Sequence, residues 1–270
     1  MQKEKTKKQT TFFFIIITII VLFPNCSRNP DGYTIKKGVL MIGMEIGYPP
    51  MEYYGLDGKT LMGFDVEMGK AIADKLGLEA EYIDVTWDGL FSGVETKRYD
   101  CIISSVTITP ERINAHNFSK PYIVNSISII TLKNSAVKPR SPQELEGLAV
   151  AYQAETTSKF FTAKLLGEGL KFIPFEYEKV MNCFDELLLG RVDAVVADSI
   201  GALDYTAVQN SQFEITWLGE PDQFFGICIR KDNDTLTEAI DKALDDLFDE
   251  GTMRRISLDN LKTDMVSAVR

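Results

Sequence analysis

From residue 39 onward, short apolar runs alternate with stretches of helical periodicity, and the alternation occurs twice along the chain. Val39–Met44 reads as a buried strand. Phe64, Met68, Ile72 and Leu76 then recur every fourth residue, giving one apolar helix stripe that Gly77 closes. Residues 82–85 read as a second strand, 87–96 as a helix and 101–104 as a third strand. This β-α-β-α-β order predicts an α/β fold with a parallel sheet covered by helices.

After a Pro- and Ser-containing stretch at residues 134–142 the pattern restarts. Ser141, Pro142 and Glu144 have the spacing of a capping box with proline at the first helical position. Residues 148–152, 171–175 and 194–197 read as strands, and 180–189 as a helix closed by Gly190. Two such halves predict two lobes. A faint internal echo agrees, since Arg98-Tyr99-Asp100-Cys101-Ile102-Ile103-Ser104-Ser105 can be laid over Arg191-Val192-Asp193-Ala194-Val195-Val196-Ala197-Asp198. In an open parallel sheet ligands bind beyond the carboxyl ends of strands, so Ser104, Ser105 and Asp198 are expected to face a site between the lobes. Asp198 is equally suited to capping the helix that begins at Ser199. Residues 233–249 form an amphipathic acidic helix, followed by a shorter one near Met253. This tail is expected to return to the first lobe through a hinge of two strands, near residues 124–126 and 219–224.

Before this folded part stand Lys3, Lys5, Lys7 and Lys8 and an apolar run from Phe12 to Phe23. Charge followed by a run shorter than the ~20 apolar residues of a membrane span is the layout of an export signal. Cys26 follows, with polar, turn-forming residues after it. The setting resembles a bacterial lipoprotein processing site, although Phe23 and Asn25 stand where leucine and a small residue are usual. It implies a signal peptide at 1–25, lipidation of Cys26 and a linker at 26–34, with an uncleaved anchor or ordinary cleavage nearby as alternatives.

The chain has a formal charge of −10, and loss of the lysine-rich leader makes the remainder more acidic. That argues against nucleic acid as a partner. Cys101, Cys183 and Cys228 are isolated in apolar surroundings and read as buried thiols, neither a disulfide framework nor a zinc site. With His116 as the only histidine, no multi-histidine metal site can be assembled, and no cofactor is expected.

Several motifs in order carry a closer resemblance: Gly47-Tyr48-Pro49-Pro50-Met51-Glu52, Gly63-Phe64-Asp65-Val66, Trp87-Asp88-Gly89-Leu90, Thr107-Ile108-Thr109-Pro110-Glu111-Arg112, Phe118-Ser119-Lys120-Pro121-Tyr122, and the stretches 99–105, 153–158 and 193–198. They make the chain similar to the family 3 extracellular solute-binding proteins, periplasmic receptors for polar amino acids that feed ABC importers. The resemblance implies a type II periplasmic-binding-protein fold, each lobe a mainly parallel sheet flanked by helices and the two joined by a two-strand hinge. Lobe 1 would comprise residues 35–125 and 223–270, and lobe 2 residues 126–222. It implies that Arg112 grips the α-carboxylate, for which a planar guanidinium is suited. Ser104, Ser105 and Thr107 would line the first-lobe cradle, Thr157 would offer a second-lobe contact and Asp198 would balance the ammonium. Tyr48 and Trp87 would sandwich the ligand side chain, and Glu45 would meet its distal polar group. Met51 replaces a usual phenylalanine and Glu155 a usual glycine.

The expected function is capture of a free polar or basic L-amino acid, with arginine, lysine, histidine or glutamine favoured because an acid between aromatics discourages acidic ligands. The expected partners are that amino acid, an ABC permease in the cytoplasmic membrane and the bilayer through lipidated Cys26. The protein itself is expected to be an exported monomer on the periplasmic or cell-surface side. An alternative is an enzyme on the same scaffold, such as a dehydratase of small carboxylic acids, for which Glu45 and Glu155 are the candidate acid and base. A third is a sensor module, disfavoured by the absence of an output domain after the final helix.

Overall fold

A computed structural model describes residues 33–207 and 211–270. The proposed signal peptide, Cys26 and most of the linker lie outside the described residues.

In chain order the first crossing contains β1 (Val39–Met44), the small hairpin β2 (Tyr53–Tyr54) and β3 (Leu61–Met62), α1 (Phe64–Leu76), β4 (Glu79–Asp84), α2 (Trp87–Glu95), β5 (Cys101–Ile102), α3 (Pro110–Ala115), β6 (His116–Phe118) and β7 (Ile123–Asn125). The second lobe follows with β8 (Ile127–Leu132), β9 (Ala149–Gln153), α4 (Thr157–Gly167), β10 (Ile173–Tyr177), α5 (Val180–Leu188), β11 (Ala194–Asp198), α6 (Ser199–Ala207) and β12 (Phe213–Leu218). The chain returns through β13 (Gln223–Phe225) and β14 (Cys228–Arg230) to α7 (Asp234–Asp249) and α8 (Thr252–Leu261).

Two five-stranded sheets result, in the orders β4-β1-β5-β14-β6 and β10-β9-β11-β8-β12. Each has three parallel strands followed by two antiparallel additions. The fourth strand of each sheet is fed directly by the connection between lobes. There, β7 and β13 pair antiparallel, with Asn125 opposite Gln223 and Ile123 opposite Phe225. The hinge is therefore a two-stranded ribbon continuous with both sheets.

Helices cover both faces of each sheet, as parallel strands require. On one face of the first sheet, Met68 and Ile72 of α1, Ile240 and Leu244 of α7 and Ile256 of α8 share a core with Leu40 and Ile42 of β1, which returns the tail to the first lobe. On the other, Leu90 and Val94 of α2 pack around Tyr99. The three cysteines in the described residues are buried free thiols.

The internal echo is structural. Asp100 and Asp193 each open their strand by exchanging hydrogen bonds with the neighbouring one. Asp100 N–H donates to Met41 O at 2.9 Å and its carboxylate accepts from Met41 N–H at 2.8 Å. Asp193 repeats both contacts with Ala149, each at 2.8 Å. The helices before them end alike, with Lys97 at φ 62° and Gly190 at φ 68°.

Two local expectations are corrected. The segment after Ser141 is a short 3-10 turn, Pro142–Leu145, without a side-chain cap from Ser141. The Glu144 carboxylate instead accepts from Arg140 N–H at 2.9 Å, one residue before the capping position. The third strand of the first lobe stops at Ile102; Ile103 stays in the core, and Ser104 and Ser105 line the cleft.

Candidate functional site: the interlobe cleft

Most of the cleft is built from residues at the carboxyl ends of the parallel strands. Glu45 follows β1, Ser104 and Ser105 follow β5, Gln153 ends β9 and Asp198 ends β11. Trp87 opens α2, Arg112 belongs to α3 and Thr157 opens α4, whose first turn is capped by the Thr156 hydroxyl. One cleft of about 40 Å³ brings together all nine expected residues: Glu45, Tyr48, Trp87, Ser104, Ser105, Thr107, Arg112, Thr157 and Asp198. It also gathers Glu52, Gln153, Thr156 and Ser158, which were not singled out as contacts.

Arg112 is a buried cation, 9% exposed. Its Nη1 donates to Thr107 O at 2.9 Å and its Nη2 to Glu155 O at 3.4 Å, so its hydrogen bonds go to carbonyls rather than to a carboxylate. The guanidinium lies 5.4 Å from the Trp87 ring centre and 5.0 Å from that of Phe91. These contacts hold the fork but, among the described residues, leave its charge uncompensated by an ion pair. Burial lowers the guanidinium pKa, yet arginine remains charged.

Across the cleft, burial pushes Asp198 up to about 6, against the opposing pull of the Asn125 hydrogen bond and the Arg112 charge. Asn125, 1% exposed in the hinge ribbon, donates to Asp198 Oδ1 at 2.8 Å and accepts from the Ser199 hydroxyl at 2.9 Å. The hinge thus holds the second lobe's acid directly.

Behind the first-lobe cradle lie more acids. Ser104 hydroxyl donates to Glu52 Oε1 at 2.6 Å and accepts from Glu45 N–H at 3.1 Å. Ser105 adopts φ 51°, a strained conformation for a residue with a Cβ. Asp65 secures it, accepting from Ser105 N–H at 2.7 Å and from the Ser105 and Tyr122 hydroxyls at 3.3 Å. Burial raises Glu45, and raises Asp65 to about 7.

Beyond the hinge, contacts between the lobes include three polar ones and a close packing. Gln153 Nε2 donates to Glu45 Oε2 at 2.8 Å, linking the ends of β1 and β9, the middle strands of the two parallel triplets. Trp87 Nε1 and Arg112 Nη2 both donate to Glu155 O. The Tyr48 ring rests on Gly201 in the first turn of α6, where an added Cβ would sit 2.4 Å from the ring. Tyr48 and Trp87 therefore bind second-lobe groups besides lining the cleft.

Glu155 is corrected as a member of an acid/base pair with Glu45. Its carboxylate is largely exposed and pairs with Lys159 at 2.7 Å, so only its carbonyl is directed at the cleft walls. Among the described residues, no three His, Cys, Asp or Glu side chains come together as a metal site. Gln153 could have been found by applying the strand-end rule to the strand read at residues 148–152. Glu52 and Asn125 left no local signal of their roles.

Two α/β lobes on a paired-strand hinge, closing on one polar cleft, define a type II periplasmic binding protein. The family description "Bacterial extracellular solute-binding proteins, family 3" matches residues 40–262, and the chain belongs to that family. It is 30% identical over 223 residues to the L-cystine-binding protein TcyJ of Escherichia coli strain K12, covering 82% of each chain. Among solved structures, it is similar to an ancestral arginine-binding protein bound to arginine, with TM-score 0.79 and 32% identity over 83% of this chain and 98% of that one. An ancestral amino acid-binding protein described as a precursor of cyclohexadienyl dehydratase matches with TM-score 0.75 and 29% identity, covering 83% and 95%.

Proposed function

We propose that this protein is the amino-acid receptor of an ABC uptake system, closing on a free polar or basic L-amino acid, with arginine, lysine, histidine or glutamine favoured. The observation that carries the reading is Arg112, a buried guanidinium hydrogen-bonded to carbonyls, opposite the partly buried Asp198. A zwitterion supplies what each lacks, a carboxylate for the fork and an ammonium for the acid. Burying either charge alone is costly, so a ligand bearing both is favoured over one bearing either. Glu45 and Glu52 add acidic groups to the cleft, supporting a cationic or amide side chain and disfavouring aspartate and glutamate.

At the present lobe separation the cleft encloses about 40 Å³, far below the several hundred Å³ of a typical small-molecule site. Entry therefore requires the lobes to part about the β7–β13 ribbon, and delivery to the permease follows closure. The relatives' binding of cystine and arginine supports this class of ligand. We further propose a monomer, exported and held at the membrane through lipidated Cys26. The mass of the mature N-terminal peptide tests that anchor.

The alternative, an enzyme on small carboxylic acids, draws on the dehydratase-precursor neighbour and on the buried Glu45. The deciding experiment is calorimetry with a panel of L-amino acids, followed by recovery of the bound compound. Saturable binding of an amino acid recovered intact supports the receptor. Steady conversion to a new product refutes it.

A further inference from the structure

Glu52 is 1% exposed, yet it lines the cleft. Its Oε1 receives the Ser104 hydroxyl, while its buried Oε2 has no hydrogen-bond partner among the described residues. The adjacent Glu45 carboxylate is already engaged, accepting from Gln153 at 2.8 Å and from Trp87 N–H at 3.3 Å. Glu52 thus lines this end of the cleft with a carboxyl group that still has a buried, unclaimed oxygen. Behind it Asp65 is fully buried, with its own Oδ1 unpartnered.

We propose that Glu52 is a ligand-contact residue that exchanges its proton for the positive charge of the ligand's side chain. The inference rests on the amino-acid-capture reading and extends it to the side-chain class. Before binding, the Glu52 carboxyl is neutral. As a guanidinium or ammonium arrives, the Glu52 O–H bond breaks, the proton leaves to solvent and the carboxylate pairs with the cation. One positive charge enters and one leaves, so the buried net charge is unchanged.

The surroundings favour a proton on Glu52. Burial and the neighbouring Asp65 and Glu45 charges raise its pKa well above the usual carboxylate range, against the pull of Ser104. Asp198 faces the same cleft, and Tyr48, its pKa also raised by burial, adds no positive charge. Arg112 is the cation lining the cleft, and Lys179 acts on Glu45.

The test is calorimetry of L-arginine binding to the intact protein in buffers of contrasting ionisation enthalpy, with L-glutamine as the neutral comparison. Arginine should release about one proton more than glutamine, and its affinity should rise with pH more steeply by up to about tenfold per unit wherever Glu52 is protonated before binding. Glutamine should release none through this group. Glu52→Gln, which keeps an acceptor for Ser104, should abolish the difference in release between arginine and glutamine. Arginine binding without proton release overturns the proposal even if the variant fails to fold, because it is read on the wild type. Equal release with glutamine also overturns it. Binding of neutral amino acids but not arginine overturns Glu52's role and leaves capture standing. Failure of every amino acid to bind removes both.

Discussion

Glu155 sits at φ 56°, where an L-residue with a Cβ is strained by roughly 1 kcal/mol or more. What the protein needs there is the carbonyl that receives Trp87 and Arg112. The side chain's pairing with Lys159 is solvent-exposed and contributes little. Glu155→Gly should therefore stabilise the protein by ~1 kcal/mol in urea unfolding while leaving ligand affinity within about twofold. A large loss of affinity would mean that the carboxylate itself takes part. Arg112→Ala should abolish the ligand-dependent rise in melting temperature while the unliganded protein still melts cooperatively. Asp65 and Asp198 give a pH signature of definite sign. Both are raised from the ordinary 3.8, to about 7 and about 6, so the folded state holds more protons than the unfolded one within that window. Their contribution to stability is complete below 3.8 and is lost as pH rises through about 6 and 7. Asp65→Asn should flatten the decline in melting temperature between those limits. An unchanged profile would show that Asp65 does not titrate there.

At the level of elements, α2 reaches the sheet only because glycine occupies position 93. A Cβ there would fall 2.1 Å from the Tyr99 hydroxyl, and one at Gly43 of β1 would fall 2.5 Å from the same ring. Tyr99 is fully buried between them and donates to Leu90 O. Gly93→Ala should cost ~2 kcal/mol in urea unfolding through overpacking. The ~1 kcal/mol that alanine ordinarily gains over glycine in a helix should not compensate. Elements of this kind were legible from periodicity: the stripe of α1, its Gly77 stop and the full span of β1 all read directly from the residues. Strand ends read less well. β4 begins at Glu79 rather than residue 82 because its pairing with β1 continues past its apolar run, from Val39 opposite Glu79 onward. The motif at Ser141 misled because its Glu144 carboxylate found a different backbone donor, a choice made by the turn geometry.

For the molecule as a whole, the lobes meet with the Tyr48 ring close against Gly201. Gly201→Ala should push the ring back, hold the lobes apart and weaken ligand binding about tenfold, ~1.4 kcal/mol. The unliganded melting temperature should change little. X-ray scattering with saturating ligand should show less compaction than for the wild type, and equal affinity would refute this account of closure. The sequence by itself determined the alternation of strands and helices, the two halves and the residues at most parallel strand ends, because side-chain periodicity sets which face each element buries. Only the tertiary structure decided that Gln153 meets Glu45 across the cleft, that Asn125 of the hinge holds Asp198, that Glu155 turns its carboxylate outward and that Glu52 keeps a buried oxygen unpaired. Those facts depend on how two separately folded sheets are set against each other. Desolvation and hydrogen bonding act on atoms brought together by that placement from positions as far apart as 45 and 153, and no local pattern encodes it.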